Sequence, residues 1–304
     1  MTSNSKSNAS LTILFLGDII GKPGREVVKK YLQELRRRAE AADGSGRAFP
    51  TFVIANVENA AHGFGVTKEN LTELAECGVD IFSGGNHTFD RKEIFSFIAE
   101  EQNLLRPANY PEGTPGKGHC LVEKDGVKLA VVNVMGRVFM EPLRSPFLVA
   151  EELVKELRSQ TPIILVDLHA EATAEKVAMG WYLDGQVSVV VGTHTHVQTA
   201  DERLLHKGTA YITDAGCCGP TDGVIGMALE GVFKRMVKQL PSRFDIAPGP
   251  TAACGVLVEV DRESGKALRI ERVRFSSEEG AEGGESRESG ESKEGRASRE
   301  SKND

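Results

Sequence analysis

The stretch Val187-Ser188-Val189-Val190-Val191-Gly192-Thr193-His194-Thr195-His196 sets a short β-branched apolar run directly before a glycine and two alternate histidines. A run of this kind reads as a buried strand. The same grammar recurs at Leu11 to Leu16, Thr51 to Val57, Val79 to Phe82, Lys128 to Val134, Pro162 to Leu168, Thr209 to Ile212 and Gly255 to Val260, each run closed by glycine or polar residues. Between several of them, apolar residues fall at helical spacing: Gly24 to Ala42, Thr67 to Cys77, Arg91 to Glu101 and Ala150 to Ser159. Thr67 is placed to cap its helix, three residues before Asn70. Alternating strands and helices predict an α/β fold with largely parallel sheet.

The residues that follow these runs are rich in oxygen and imidazole donors. Asp18 follows the first run, Glu58 and Asn59 the second, and Asn86 and His87 the third; His169 closes Pro162 to Leu168, and His194 and His196 close Val187 to Val191. In parallel α/β sheets the carboxyl ends of strands share one edge, where ligands bind, so five segments are expected to deliver donors to one place. Singly, each has an ordinary explanation. A Gly-Asp after a strand is more often a turn or helix cap, and a lone histidine after an apolar strand is more often a satisfied core residue. Gly84-Gly85-Asn86-His87 is sharper, because glycines give the backbone room to approach a ligand beside an amide and an imidazole. In Gly192-Thr193-His194-Thr195-His196, alternation along an extended segment would put both imidazoles on one side, facing two adjacent metals. As a set these residues are hard to explain as packing.

The 304-residue chain carries 40% apolar and 27% charged residues, the proportions of an ordinary globular protein. No apolar run is long enough to cross a membrane, and the N-terminus is polar, so a cytoplasmic protein with no membrane partner is expected. Five cysteines without paired zinc spacing argue for reduced thiols rather than disulfides or a thiolate metal site. A net charge of −7 disfavours stable binding of duplex nucleic acid, which needs basic surface to neutralise phosphates. Residues 1–10 and 276–304, the latter acidic and rich in Ser, Glu and Gly, hold too little apolar surface to offset the entropy of ordering and are expected to be disordered. The catalytic domain is then 11–275.

The order Gly-Asp, acidic residue, Gly-Asn-His, lone His and Gly-x-His-x-His resembles the calcineurin-like metallophosphoesterases. Most of that superfamily bridges its metals with Asp, whereas this chain offers Glu58 followed by Asn59. With Gly-Asp-Ile-Ile-Gly-Lys-Pro-Gly-Arg at 17–25, Asn-Val-Glu-Asn-Ala-Ala-His-Gly at 56–63, Asp167-Leu168-His169-Ala170-Glu171 and Gly219-Pro220, it resembles the bacterial 2′,3′-cyclic-nucleotide 2′-phosphodiesterase family from about Leu11 to Phe275. The resemblance implies a four-layer α-β-β-α sandwich with two mixed sheets. It also implies two divalent or trivalent metal ions, usually described as iron, with manganese or zinc accepted by related folds. Asp18, Glu58, Asn59 and His196 would hold one ion; Glu58 would bridge to a second, completed by Asn86, His169 and His194. His87 would be the catalytic acid. Where the family more often has tryptophan this chain has Phe89, and Cys217, Cys218 and Thr221 stand where Met and Tyr are more usual, which bears on substrate preference.

The expected reaction is hydrolysis of a small phosphoester, a 2′,3′-cyclic nucleotide, to the 3′-nucleotide, with a hydroxide between the metals as nucleophile and His87 protonating the departing 2′-oxygen. Two rivals are a broader phosphatase or phosphodiesterase on the same metals and a regulatory RNA- or protein-binding module with a vestigial site. Against the second stands the cost of keeping a full buried donor set. Asp167 is a candidate to orient a ligand. Lys22 and Arg25 could meet phosphate or belong to a solvated helix start; His62, Arg137 and Phe139 could face substrate; His119 and His206 read as surface residues. Homo-oligomer assembly is plausible.

Overall fold

In the computed structural model, residues 9–41 and 48–277 are described. The N-terminal extension and acidic tail lie outside them except at their inner ends, where Ser10 opens the first strand and Ser276 closes the last. The first sheet is built from β1 (Ser10–Leu16), β2 (Asp18–Ile19), β3 (Phe52–Asn56), β4 (Ile81–Ser83), β11 (Cys217–Pro220), β12 (Thr251–Asp261) and β13 (Ala267–Ser276), and the second from β5 (His119–Lys124), β6 (Val127–Met135), β7 (Ile164–His169), β8 (Val189–Thr193), β9 (Arg203–Leu204) and β10 (Ala210–Ile212). The helices are α1 (Gly21–Glu40), α2 (Lys68–Cys77), α3 (Pro146–Leu157), α4 (Thr173–Tyr182) and α5 (Leu229–Met236).

Strand alternation explains the layering. Along β1, Leu14 and Leu16 pack with Val53 and Ala55 of β3 against Val27, Val28 and Leu32 of α1 and Leu71 and Leu74 of α2. The intervening Ile13 and Phe15 turn the other way and meet Leu129, Val131, Leu165, Val189 and Ile212 of the second sheet. On the far side, Val132, Val134 and Val166 pack against Val149 and Val154 of α3 and Met179 of α4. Helix, sheet, sheet and helix therefore stack in four layers. Full burial of each such aliphatic side chain contributes about 1.5–3 kcal/mol.

Both sheets are mixed. The first runs β2-β11-β12-β1-β3-β4 with β13 on β12, and the second β5-β6-β7-β8-β10-β9. Parallel pairing, expected for much of the sheet, is found at β1–β3, β3–β4, β6–β7 and β7–β8. The largely parallel expectation fails at β12, which lies antiparallel to β1, β11 and β13 alike. Thr67 caps α2 as expected, its Oγ1 accepting the Asn70 N–H at 3.2 Å. The helix expected over Arg91 to Glu101 is only a 3-10 turn, Lys92–Ser96, although Ile94, Phe97 and Ile98 are buried as that spacing requires. Among the described residues no helix is long and apolar enough to cross a membrane.

Candidate metal centre

The parallel strands β3, β4, β7 and β8 end together, and their carboxyl ends meet the β1–β2 corner. Asp18 is fully buried there; its Oδ2 accepts the His194 N–H at 2.9 Å and lies 3.8 Å from His196 Nε2. Glu58 sits in the turn after β3, where its own N–H donates to Asn56 Oδ1 at 3.1 Å. Its Oε1 is 3.1 Å from His169 Nε2, and its Oε2 accepts the His87 N–H at 2.9 Å. Asn86, past the end of β4, places Oδ1 3.0 Å from the same His169 nitrogen. Ligand atoms of Glu58, His169 and His194 lie within 4.8 Å of one another. Asn59 gives its amide to the Gly63 carbonyl at 2.9 Å, which leaves its oxygen free. A Cβ at Gly85 would overlap both Glu58 Oε2 and His169 Nε2, so only glycine lets the β4 loop approach this closely.

Three of these buried oxygens, Asp18 Oδ1, Glu58 Oε1 and Asn59 Oδ1, have no hydrogen-bond partner among the described residues. An orphaned buried acceptor costs roughly 1–3 kcal/mol, more when charged, so unpartnered oxygens on these residues suit a cation. The imidazoles agree. His169 Nδ1 lies 2.9 Å from Thr193 Oγ1, whose hydroxyl is committed to Asp167 Oδ1 at 2.7 Å. The Nδ1 proton therefore points to Thr193, leaving Nε2 to act toward Glu58 and Asn86. His196 is arranged alike, with Nδ1 3.2 Å from the Ile225 carbonyl and Nε2 toward Asp18. An oxygen and imidazole set without thiolate suits iron, manganese or zinc.

Burial dominates the electrostatics. It pushes Asp18 up to about 6, against the pull of His196 and His169. It would raise Glu58 too, but the neighbouring His169 charge holds that carboxyl down at about 2. Burial would lower His169, yet Glu58 and Asp18 keep it up at about 9. His194 is pushed down to about 3, mainly by burial and then by His169, so it is a neutral imidazole at pH 7.

One expectation is corrected here. His194 and His196 do not alternate along an extended strand: β8 ends at Thr193, and both residues take left-handed backbone, with φ of 96° and 66°. His87 stands at the edge of the cluster, its ring against Phe64 at 4.9 Å and its Nδ1 2.8 Å from Asp90 Oδ2. Arg25 points elsewhere, tying α1 to Glu73 at 2.6 Å and to the Ala60 carbonyl at 2.6 Å; Lys22 is solvated beside Glu26. His62 is exposed, and Phe139 is 89% exposed on the loop after β6, whose Gly136 N–H binds the His169 carbonyl. His206 is a surface residue, whereas His119 is half-buried in β5. The reading from sequence missed Asp90, Thr193 and Asp214. Only Asp90 leaves a trace, three residues beyond His87.

Residues 14–273 match the family described as YmdB-like protein. The chain belongs to that family. This YmdB-like chain is 51% identical over 268 residues to the 2′,3′-cyclic-nucleotide 2′-phosphodiesterase of Bacillus subtilis, an alignment covering 88% of the chain and 98% of the relative. A Thermus thermophilus protein without assigned function has a crystal structure that superposes with a TM-score of 0.79 at 39% identity, covering 88% of this chain and 99% of that one. A crystal structure described as a novel phosphatase from Mycoplasma pneumoniae also gives a TM-score of 0.79, at 34% identity and 88% and 94% coverage.

Proposed function

We propose that this chain is a metal-dependent phosphoric ester hydrolase that opens 2′,3′-cyclic nucleotides to 3′-nucleotides, with residues 11–275 as its catalytic domain. The observation that supports this reading best is the convergence of Glu58, His169 and His194 within 4.8 Å of one another, beside buried oxygens of Asp18 and Glu58 that have no hydrogen-bond partner among the described residues. Asp18, Glu58, Asn59 and His196 would hold one ion, and Glu58, Asn86, His169 and His194 a second, with iron as the proposed metal. When bound, a metal pair supplies a nucleophile at neutral pH and neutralises the phosphoryl oxygens.

The protein's own groups do the rest. Asp90 beside Nδ1 fixes the His87 ring, and in the imidazolium form Nε2–H would be the donor to the leaving 2′-oxygen. The His87 backbone N–H, bound to Glu58 Oε2, sets that donor at a fixed place relative to the Glu58 carboxylate. The Bacillus relative's activity supports the cyclic substrate, and the Mycoplasma phosphatase favours a second, broader phosphatase reading. A panel of 2′,3′-cyclic nucleotides, 3′,5′-cyclic nucleotides and phosphomonoesters separates them: preference for the first supports the proposal, and equal turnover of all three favours the second. His87→Ala should retain the parent's metal content while turnover falls about 10²- to 10⁴-fold. Loss of metal together with turnover would move His87 into the ligand set.

A further inference from the structure

Left-handed backbone at a non-glycine residue costs free energy and persists only where the surroundings over-determine it. His194 and His196 both adopt it, and the residue between them is held from several directions. The Thr195 N–H and Oγ1 both donate to Asp214 Oδ2, at 3.2 and 2.6 Å. Lys176 Nζ donates to the same carboxylate oxygen at 2.7 Å and to Thr195 Oγ1 at 3.2 Å. The second oxygen, Asp214 Oδ1, accepts the Gly216 N–H at 2.8 Å, and Gly216 leads into β11, where Cys217 pairs in register with Asp18. One carboxylate thus joins the histidine hairpin to the strand beside Asp18. Lys176 and Asp214 are 1% and 0% exposed, and Lys176 reaches the site from the inward face of α4.

Replacing a buried ion pair by apolar residues of similar volume is often neutral or stabilising, so stability alone does not explain this one. We propose that Lys176 and Asp214, acting through Thr195, are positioning residues that hold His194 and His196 in their strained, ligand-presenting geometry. This rests on the metal-centre reading above. None of the three touches the reacting atoms; their effect passes through the two imidazoles.

The test compares Thr195→Val, which keeps the shape but loses the hydroxyl, with Thr195→Ser, which keeps the hydroxyl. A double variant, Lys176→Met with Asp214→Asn, removes both charges without leaving either buried alone. For each full-length protein, manganese and iron affinity is measured by elemental analysis across buffered metal concentrations, and folding by thermal unfolding of the metal-free form. Thr195→Val and the double variant should bind metal roughly 10- to 100-fold more weakly than the parent, with Thr195→Ser within about threefold of it. The metal-free melting temperatures of the two threonine variants should stay close to the parent's. Parent-like affinity in both Thr195→Val and the double variant would overturn the proposal while leaving the metal centre standing. A parent protein that takes up no metal would remove the metal-centre reading itself, and this inference with it. If the double variant does not fold, the threonine pair decides alone.

Discussion

Gly85 is the residue at which sterics and chemistry meet most directly. Its backbone needs no unusual φ; what it needs is the missing Cβ, which would otherwise occupy the space of Glu58 Oε2 and His169 Nε2. Overpacking of this kind costs about 1–3 kcal/mol, and here the strain falls on two candidate ligands. Gly85→Ala should therefore weaken metal binding by roughly 10- to 100-fold, since about 1.4 kcal/mol corresponds to tenfold. Elemental analysis after dialysis at controlled metal concentration measures it, and a variant that keeps the parent's affinity would show that the loop relaxes freely. Gly85 was legible in the chain because a Gly-Gly pair beside Asn86 and His87 signals close approach. Of the groups behind the donors, Asp167 was a candidate, but the residue that connects it to His169 was not legible. Thr193 lies between His169 and Asp167 only once β7 and β8 are aligned, pairing His169 with Thr193 and Asp167 with Val191. Likewise the left-handed turns at His194 and His196 depend on Asp214, a residue remote in sequence that alternation cannot anticipate.

Helix α4 carries the same lesson at the scale of an element. Its buried residues are Glu175, Lys176, Met179 and Gly180, so the face turned to the sheet holds one apolar side chain of any size. Apolar periodicity could not reveal this helix, because its inward positions have other tasks. Glu175 accepts the Arg137 and Val138 N–H groups of the loop after β6, Lys176 reaches Asp214, and Gly180 lies against the Tyr211 ring. An alanine Cβ at 180 would sit 2.5 Å from Tyr211 Cδ2, and Tyr211 is 1% exposed. Helix propensity would favour Gly180→Ala by up to about 1 kcal/mol, while overpacking a rigid buried ring costs about 1–3 kcal/mol. Net destabilisation of about 1 kcal/mol is expected from urea unfolding, and a stabilised variant would mean that α4 can lift off the sheet. The segment Arg91 to Glu101 shows the converse. Its spacing reported burial of Ile94, Phe97 and Ile98 faithfully, but a 3-10 turn buries the same side chains as a helix would. Strand β13 escaped notice because an edge strand tolerates charge, and Arg269, Glu271, Arg272 and Arg274 interrupt its apolar residues.

At the scale of the whole molecule, the two sheets bring the ends of β3, β4, β7 and β8 to one rim, and the folded chain encloses Asp18, Glu58 and His169 at 0–1% exposure. That much of the sheet is parallel was readable from the alternation of strand runs and helices. The antiparallel β12, which takes β1 and β11 along one edge and β13 along the other, was not, because it pairs residues some 240 positions apart, such as Ile13 with Val258. Closure of that sheet sets β11 beside β2 and so walls off Asp18. Enclosure has an energetic consequence. Without a cation the cluster keeps two buried carboxylates, one of them, Asp18, pushed up to about 6 by burial, and oxygens without partners among the described residues. A cation bound only by the folded state adds RT ln(1 + [L]/Kd), about 2.7 kcal/mol at a hundredfold excess over Kd. In large domains about 1 kcal/mol moves the melting temperature by about 2–4 °C, so chelation should lower it by about 5–10 °C. Thermal unfolding of protein as purified, after exhaustive chelation, and after return of manganese or iron measures this directly. Recovery on metal return, absent with metal-free buffer alone, would tie the stability to the rim where the strands end. An unchanged melting temperature through all three states would mean that the buried donors are satisfied without a cation, and the proposed hydrolysis would then need another source for its nucleophile.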